Sequence, residues 1–193
     1  MKTEKLYDIW ARRNPLFETQ FENSLIREYT DYGIGASELT SAKGKSFGAG
    51  YELYIYAFFI GLYNNEKLEL SGETKTLGQP IQFWGNLNSK DRKAYPKLRE
   101  YIFAALLARS QKLDLIALEK GDINARKAVD YLIQTMEEYA NYGFYYMTDK
   151  IKTNPNYFYR TTRFLDIILD VSKSFEDEKN EEIESLEKIE VVN

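Results

Sequence analysis

One long apolar run constrains the fold of this chain more than any other feature. Residues 51–63 read Tyr-Glu-Leu-Tyr-Ile-Tyr-Ala-Phe-Phe-Ile-Gly-Leu-Tyr, and Glu52 is the one charged residue among them. The length of the run and its lack of valine and threonine favour a helix over a strand. A helix that is apolar on all sides is buried, so we expect this segment to be the central helix of the core.

The remaining apolar residues recur mostly at helical spacing. Prolines and glycines break this periodicity into segments. It predicts two helices within residues 1–32, separated at Asn14-Pro15. It also predicts one helix from Ser89 or Pro96 to Ala108, one from Asp122 to Lys152 and one from Pro155 to Phe175. In the second helix, Leu16, Phe17, Phe21, Leu25 and Ile26 would form the buried face.

The segment from Leu68 to Asn88 interrupts this helical pattern with glycines and a proline. It predicts either a short hairpin around Gly72 or an irregular crossover, with the aromatic residues up to Trp84 packed onto the core. We therefore predict a mainly α fold: a single compact multi-helix domain over residues 1–175, built around a buried central helix, with an irregular middle segment.

An acidic tail follows the predicted domain. Residues 176–193 contain eight acidic residues and two lysines, with Ile183, Leu186 and Ile189 at three-residue spacing. This pattern fits either a short amphipathic helix that docks on a partner or a disordered segment. The first ten residues have no continuous apolar stretch, and the central run is shorter than the roughly 20 residues that span a bilayer. We expect a cytoplasmic protein that does not enter a membrane.

The chain has no cysteine and no histidine. Disulfides, thiol nucleophiles, zinc sites of the Cys/His kind and histidine-based catalytic triads are therefore excluded. Catalysis would have to use Asp, Glu, Lys, Tyr, Ser or Arg. We predict no metal site and no cofactor.

A glycine-rich loop, residues 44–50, leads into the central helix. Gly48 and Gly50 could bring backbone amides to an anion at the helix N-terminus, and Lys43 and Lys45 would add positive charge. A phosphate loop would need a glycine where Leu39 stands, and the dinucleotide-binding pattern also fails. The alternative is a loop in which glycine permits a close approach of the backbone.

Several carboxylates are candidates for chemistry. Glu52 could be a buried general acid, or an acid in the first helical turn that is stabilised by the helix dipole. Glu137 and Glu138 fall on the polar stripe of the long helix, which indicates a solvated face. Asp166 and Asp170 are four residues apart and could jointly bind a divalent metal. Arg163 and Lys173 flank them at helical spacing, which favours surface ion pairs instead.

Two stretches alternate basic and aromatic residues and could follow a phosphate backbone. Their candidate nucleic-acid-binding residues are Lys90, Arg92 and Lys93 in the first stretch, which continues to Arg99, and Arg160 and Arg163 in the second. Acidic residues are interleaved with both, so a solvated surface is the alternative.

The order of these elements resembles a known family. A glycine-rich lead-in, an apolar helix ending in Phe-Phe-Ile-Gly-Leu-Tyr63, an irregular stretch with Leu77-Gly78 and a helix from Leu132 to Gly143 are similar to the small helical DndE-type accessory protein of DNA phosphorothioate modification. The resemblance implies a compact helical protein that self-associates and binds DNA through surface lysines.

We therefore expect a non-enzymatic helical accessory or interaction protein, with a DNA-modification or defence complex as the candidate assembly. Its partner would be another protein or further copies of itself, and DNA is a further candidate. The alternative is a carboxylate-dependent glycan hydrolase in which Glu52 and a second acid flank the scissile bond and Trp84 stacks on a sugar. A third hypothesis is a weak DNA-binding protein.

Overall fold

Seven helices and one two-stranded sheet make up the part of the chain that the computed structural model describes, residues 5–30, 46–85, 96–160, 162–170 and 173. The helices are α1 (Leu6–Ala11), α2 (Arg27–Tyr29), α3 (Gly50–Asn64), α4 (Pro96–Arg109), α5 (Leu115–Lys120), α6 (Ala125–Thr153) and α7 (residues 162–170). The strands are β1 (Leu16–Glu18) and β2 (Thr74–Thr76). Single turns of π-helix (Glu22–Ile26) and 3-10 helix (Ile81–Phe83 and Tyr157–Tyr159) complete the set. The predicted mainly α fold is confirmed.

Helix α3 is the buried central helix that its apolar sequence predicts. Leu53, Tyr54, Ala57, Phe58 and Ile60 have no exposed surface. The helix ends at Asn65, which adopts the left-handed conformation (φ 53°) and directs its N–H to the carbonyl groups of Gly61 and Leu62. This is a common way to satisfy the last carbonyl groups of a helix.

Helices α3 and α6 pack against each other with backbone contact at two glycines. A Cβ at Gly61 would overlap the carbonyl group of Tyr139, and a Cβ at Gly143 would overlap that of Ala57. The pairing of residue 61 with 139 and of residue 57 with 143 makes the helices antiparallel. Both glycines are therefore required for the close approach.

Helix α6 is the longest element and also packs against α1, α4 and β1. Its N-terminus is capped by Asn124, whose side chain accepts from the Lys127 N–H at 2.9 Å. The predicted cap, Asp122, lies two residues earlier. Asp114 instead caps the short helix α5, by accepting from the N–H groups of Ile116 and Ala117.

The short sheet corrects two sequence predictions. Leu16–Glu18 forms a strand that pairs antiparallel with Thr74–Thr76, with Phe17 opposite Lys75. The predicted helix from Leu16 therefore starts later in the chain, although Phe17, Phe21 and Leu25 are buried as expected. The hairpin around Gly72 is wrong because β2 pairs with the distant strand β1 rather than with a neighbour.

The segment after β2 returns to the core through Ile81 and Trp84, which are 0% and 2% exposed. The Trp84 indole N–H donates to the carbonyl group of Gln79 at 3.1 Å. This part of the prediction is confirmed, except that the Phe83 side chain is half-exposed.

The chain after α6 also differs from the prediction. Pro155 does not begin a continuous helix, because a 3-10 turn at Tyr157–Tyr159 precedes α7. Phe164 and Ile167 are buried, whereas Leu165 is 59% exposed. Three predictions lie outside the described residues: the cap of α4 at Ser89, the end of the last helix at Phe175 and the acidic tail at residues 176–193.

Candidate functional site

Two adjoining cavities lie along the face of α3 that turns away from α6. The first, here called the inner cavity, has a volume of about 240 Å³. Its walls are mostly apolar, and its lining residues are Phe47, Tyr51, Glu52, Ile55, Trp84, Gly85, Leu98 and Arg99. The rings of Tyr51 and Trp84 are stacked with centroids 5.9 Å apart and planes at 11°, which fixes one wall of this cavity.

The second cavity, here called the outer groove, continues from the inner cavity towards the C-terminal end of α3. It shares Glu52, Ile55 and Leu98 with the inner cavity and has a volume of about 500 Å³. Its other lining residues are Tyr56, Phe59, Tyr63, Tyr101 and Ile168. The two cavities together follow α3 from Tyr51 to Tyr63, a distance of about 18 Å along the helix axis.

Glu52 lies at the junction of the two cavities. Its carboxylate accepts from the Gly48 N–H at 2.7 Å, within the first turn of α3. The side chain thus satisfies a backbone donor in front of the helix, where the helix dipole also favours a negative charge. Gly48 and Glu52 are thus joined by a hydrogen bond, and Gly50 between them is the first residue of the helix.

Arg99 is the basic residue of the inner cavity. Its Nη1 group donates to the carbonyl group of Gln82. Its Nε atom is buried and has no hydrogen-bond acceptor among the described residues. The sequence indicates Arg99 only as one member of a basic stretch, because its place in the cavity depends on Gln82 and Trp84, which lie well before it in the chain.

The other predicted basic residues do not line these cavities in the described part of the chain. Arg163 is exposed, forms an ion pair with Asp166 at 3.2 Å and lies over the Tyr157 ring. The predicted ion pair between these two residues is thus present. Arg160 is exposed near the same helix end. The positions of Lys43, Lys45, Lys90, Arg92 and Lys93 lie outside the described residues.

The glycan-hydrolase hypothesis needs a second carboxylate beside Glu52. Among the described residues that line the two cavities, Glu52 is the one acid. Trp84 is almost wholly buried against Tyr51, so most of its ring cannot stack on a sugar. The described lining of these cavities therefore lacks the acid pair that the hypothesis requires.

A buried carboxylate, Glu18, was missed by the sequence analysis. Its side chain has no exposed surface and accepts from the Ser71 N–H at 2.8 Å, the Tyr145 hydroxyl at 2.9 Å and the Asn141 amide at 3.2 Å. Burial opposes its ionisation, but the hydrogen bonds, chiefly from Ser71, Gln20 and Tyr145, outweigh this and lower its pKa. Glu18 therefore ties β1, the turn before β2 and α6 together.

Glu137 and Glu138 correct the predicted solvated face of α6. Glu138 is 9% exposed and accepts from the Gln134 amide at 2.8 Å. Glu137 is half-buried and accepts from the Leu16 N–H at 2.7 Å. Burial raises the pKa of Glu137 to about 7, against the effects of the Leu16 N–H and Arg13. The prediction failed because β1 and the segment after α3 cover this stripe of the helix.

No group of three or more acidic side chains in the described part of the chain is arranged to hold a metal ion. None of the described helices combines the length and the apolar character needed to cross a membrane.

The chain matches no protein-family model, no curated protein and no solved structure.

Proposed function

We propose that this chain is a helical interaction protein that self-associates through one apolar face. The observation that carries the proposal is a set of exposed apolar side chains beside the outer groove. Tyr101 on α4 is 58% exposed, and Leu165 and Leu169 on α7 are 59% and 48% exposed. We call these three residues, together with Ile168, the α4–α7 face.

The α4–α7 face is continuous with the outer groove. Tyr101 and Ile168 line the groove, and the Tyr101 ring lies 6.2 Å from that of Phe59. Leu165 lies three residues before Ile168 and four residues before Leu169, so the three side chains form one stripe of α7. A contiguous exposed apolar surface of this kind is typical of a protein–protein interface.

The apolar stripe of α7 favours a second copy of this chain as the partner. Leu165, Ile168 and Leu169 lie on one side of the helix, and Leu165 and Leu169 are exposed. In an antiparallel pair of α7 helices, this stripe of each copy would pack against the same stripe of the other. This arrangement gives a two-fold, self-complementary interface, which is the most common form of homo-oligomer.

The proposal assigns no reaction to the chain. A place in a DNA-modification or defence complex is supported by the sequence resemblance alone and stays a prediction. DNA binding is supported only by the basic stretches, and the cytoplasmic location likewise stays a prediction.

Light scattering during size-exclusion chromatography tests self-association. We expect the native protein to run as a dimer at micromolar concentration and the L165D/L169D variant to run as a monomer, because two carboxylates would be buried in the interface. L115D is the matched control, since Leu115 on α5 is 52% exposed but lies outside the α4–α7 face. A native protein that is still monomeric at about 100 μM would refute the proposal, because its affinity for a second copy would be too weak for a functional dimer.

A further inference from the structure

We infer that the inner cavity binds a small apolar molecule that carries a carboxylate, with Arg99 as the group that recognises the carboxylate. The inference concerns the inner cavity and does not depend on self-association through the α4–α7 face.

Arg99 brings an unsatisfied hydrogen-bond donor to the inner cavity. Of its three guanidinium nitrogens, Nη1 alone makes a hydrogen bond within the described residues, and its acceptor is a neutral carbonyl group. No ion pair joins Arg99 to an acidic side chain in that part of the structure, and its Nε–H is buried without an acceptor. A buried donor without an acceptor is unfavourable, and a carboxylate on a ligand would offset that cost.

The walls of the inner cavity are mostly apolar. Five apolar side chains surround the cavity: Phe47, Tyr51, Ile55, Trp84 and Leu98. Small-molecule sites combine such walls with a few polar groups that orient the ligand. The volume of about 240 Å³ is below the usual range for drug-sized ligands, so the molecule is small, such as one ring with a short acidic chain.

The Arg99 guanidinium favours a carboxylate over a phosphate. Its planar donors can form two parallel hydrogen bonds to a carboxylate. Glu52 lines the same cavity, and its negative charge would repel a phosphate dianion more strongly than a monovalent carboxylate. A cavity that holds one arginine and one glutamate is therefore better matched to a ligand with one negative charge than to a ligand with two.

Isothermal titration of the full-length chain with 3-phenylpropionate and with 3-phenylpropan-1-ol tests this inference, because the two probes share their apolar part. We expect the acid to bind at least about tenfold more tightly than the alcohol. R99Q should abolish this preference. R109Q is the matched control: Arg109 lies on the same helix about 15 Å away, where it donates to Asn65, and its loss should leave the preference intact.

Equal affinities of the two probes for the native protein would overturn the inference, as would no binding of either at about 10 mM. Retention of the preference in R99Q would also overturn it. If R99Q does not fold, the comparison of acid and alcohol on the native protein still decides. Inorganic phosphate binding more tightly than 3-phenylpropionate would show that the site is not selective for a carboxylate.

Discussion

At the scale of single residues, the most informative side chains are two glutamates whose environments shift their pKa values in opposite directions. Neutral hydrogen-bond donors outweigh burial at Glu18 and lower its pKa, whereas burial dominates at Glu137 and raises its pKa to about 7. Glu18 is thus held ionised inside the fold. Glu137 changes charge near neutral pH, beside the Leu16 N–H that holds the start of β1.

Replacement of Glu137 should change how stability depends on pH. The pKa of Glu137 rises from 4.5 to about 7 on folding, so the folded state binds the extra proton between these values. The contribution of Glu137 to stability is therefore fully present below pH 4.5 and is lost as the pH rises to about 7. E137Q keeps an acceptor for the Leu16 N–H but cannot titrate. We expect it to be more stable than the native protein at pH 8, by up to about 3 kcal/mol, and of similar stability at pH 4.5.

Urea denaturation at a series of pH values measures this difference. E119Q on α5 is the control, because Glu119 is exposed and should leave the pH dependence of the native protein unchanged. A stability difference between E137Q and the native protein that is the same at pH 4.5 and pH 8 would show that Glu137 does not titrate with a raised pKa.

At the scale of elements, the decisive contact is the crossing of α3 and α6 at Gly61 and Gly143. The helices approach so closely that each glycine faces a backbone carbonyl group of the other helix. Such an obstacle cannot rotate away as a side chain could, so any Cβ there forces the helices apart. The core that depends on this distance includes Tyr54, Phe58 and Phe144.

G143A should therefore destabilise the protein far more than an ordinary glycine substitution. We expect a loss of at least about 3 kcal/mol, comparable to overpacking of a tight core. Gly121 provides the comparison: it has φ +83° and open space around its Cβ position, so G121A should cost only about 1 kcal/mol of backbone strain. Thermal unfolding monitored by circular dichroism distinguishes the two. Equal losses for the two variants would contradict the backbone contact.

The sequence predicted local structure better than it predicted pairing. Helix α3 follows from thirteen consecutive, nearly uncharged residues, and α6 from a regular apolar stripe. The pairing of β1 with β2 joins residues about 60 positions apart, and three-residue strands leave too little alternation to be detected. The burial of Glu18 and Glu138 follows from that pairing and from the segment after α3. Periodicity on one helix therefore could not reveal either carboxylate's environment.

The candidate site was predicted in part. The sequence drew attention to Gly48, Gly50 and Glu52, because an acid and glycines at a helix start are visible locally. Arg99 reaches the inner cavity only through the packing of α4 on α3, which no local pattern records. The sequence did not reveal that Leu165 and Leu169 are exposed, because every apolar residue of a short helix is expected to face the core. In α7, one stripe of apolar residues faces outwards instead.

At the scale of the whole molecule, the fold divides α3 between two roles. One side is fixed against α6 by glycine contacts and is part of the rigid core. The other side is left partly open, with the inner cavity at its start and the outer groove and α4–α7 face towards its end. This division explains how a helix that is apolar on all sides can both build the core and line two cavities.

The central claim is that two copies associate through antiparallel α7 helices. Disulfide cross-linking tests it directly, because the native chain has no cysteine. In the L165C/L169C variant the two positions lie one turn apart on the apolar stripe of α7, with Cβ atoms about 5–6 Å apart, too far for an unstrained bond within the helix. In antiparallel α7 helices that pack through this stripe, position 165 of one copy lies near position 169 of the other. We predict that mild oxidation converts this variant into a covalent dimer, whereas the control L115C/E119C, with exposed positions of the same spacing on α5, stays largely monomeric. A variant that stays monomeric, or that cross-links no faster than the control, would contradict the proposed interface.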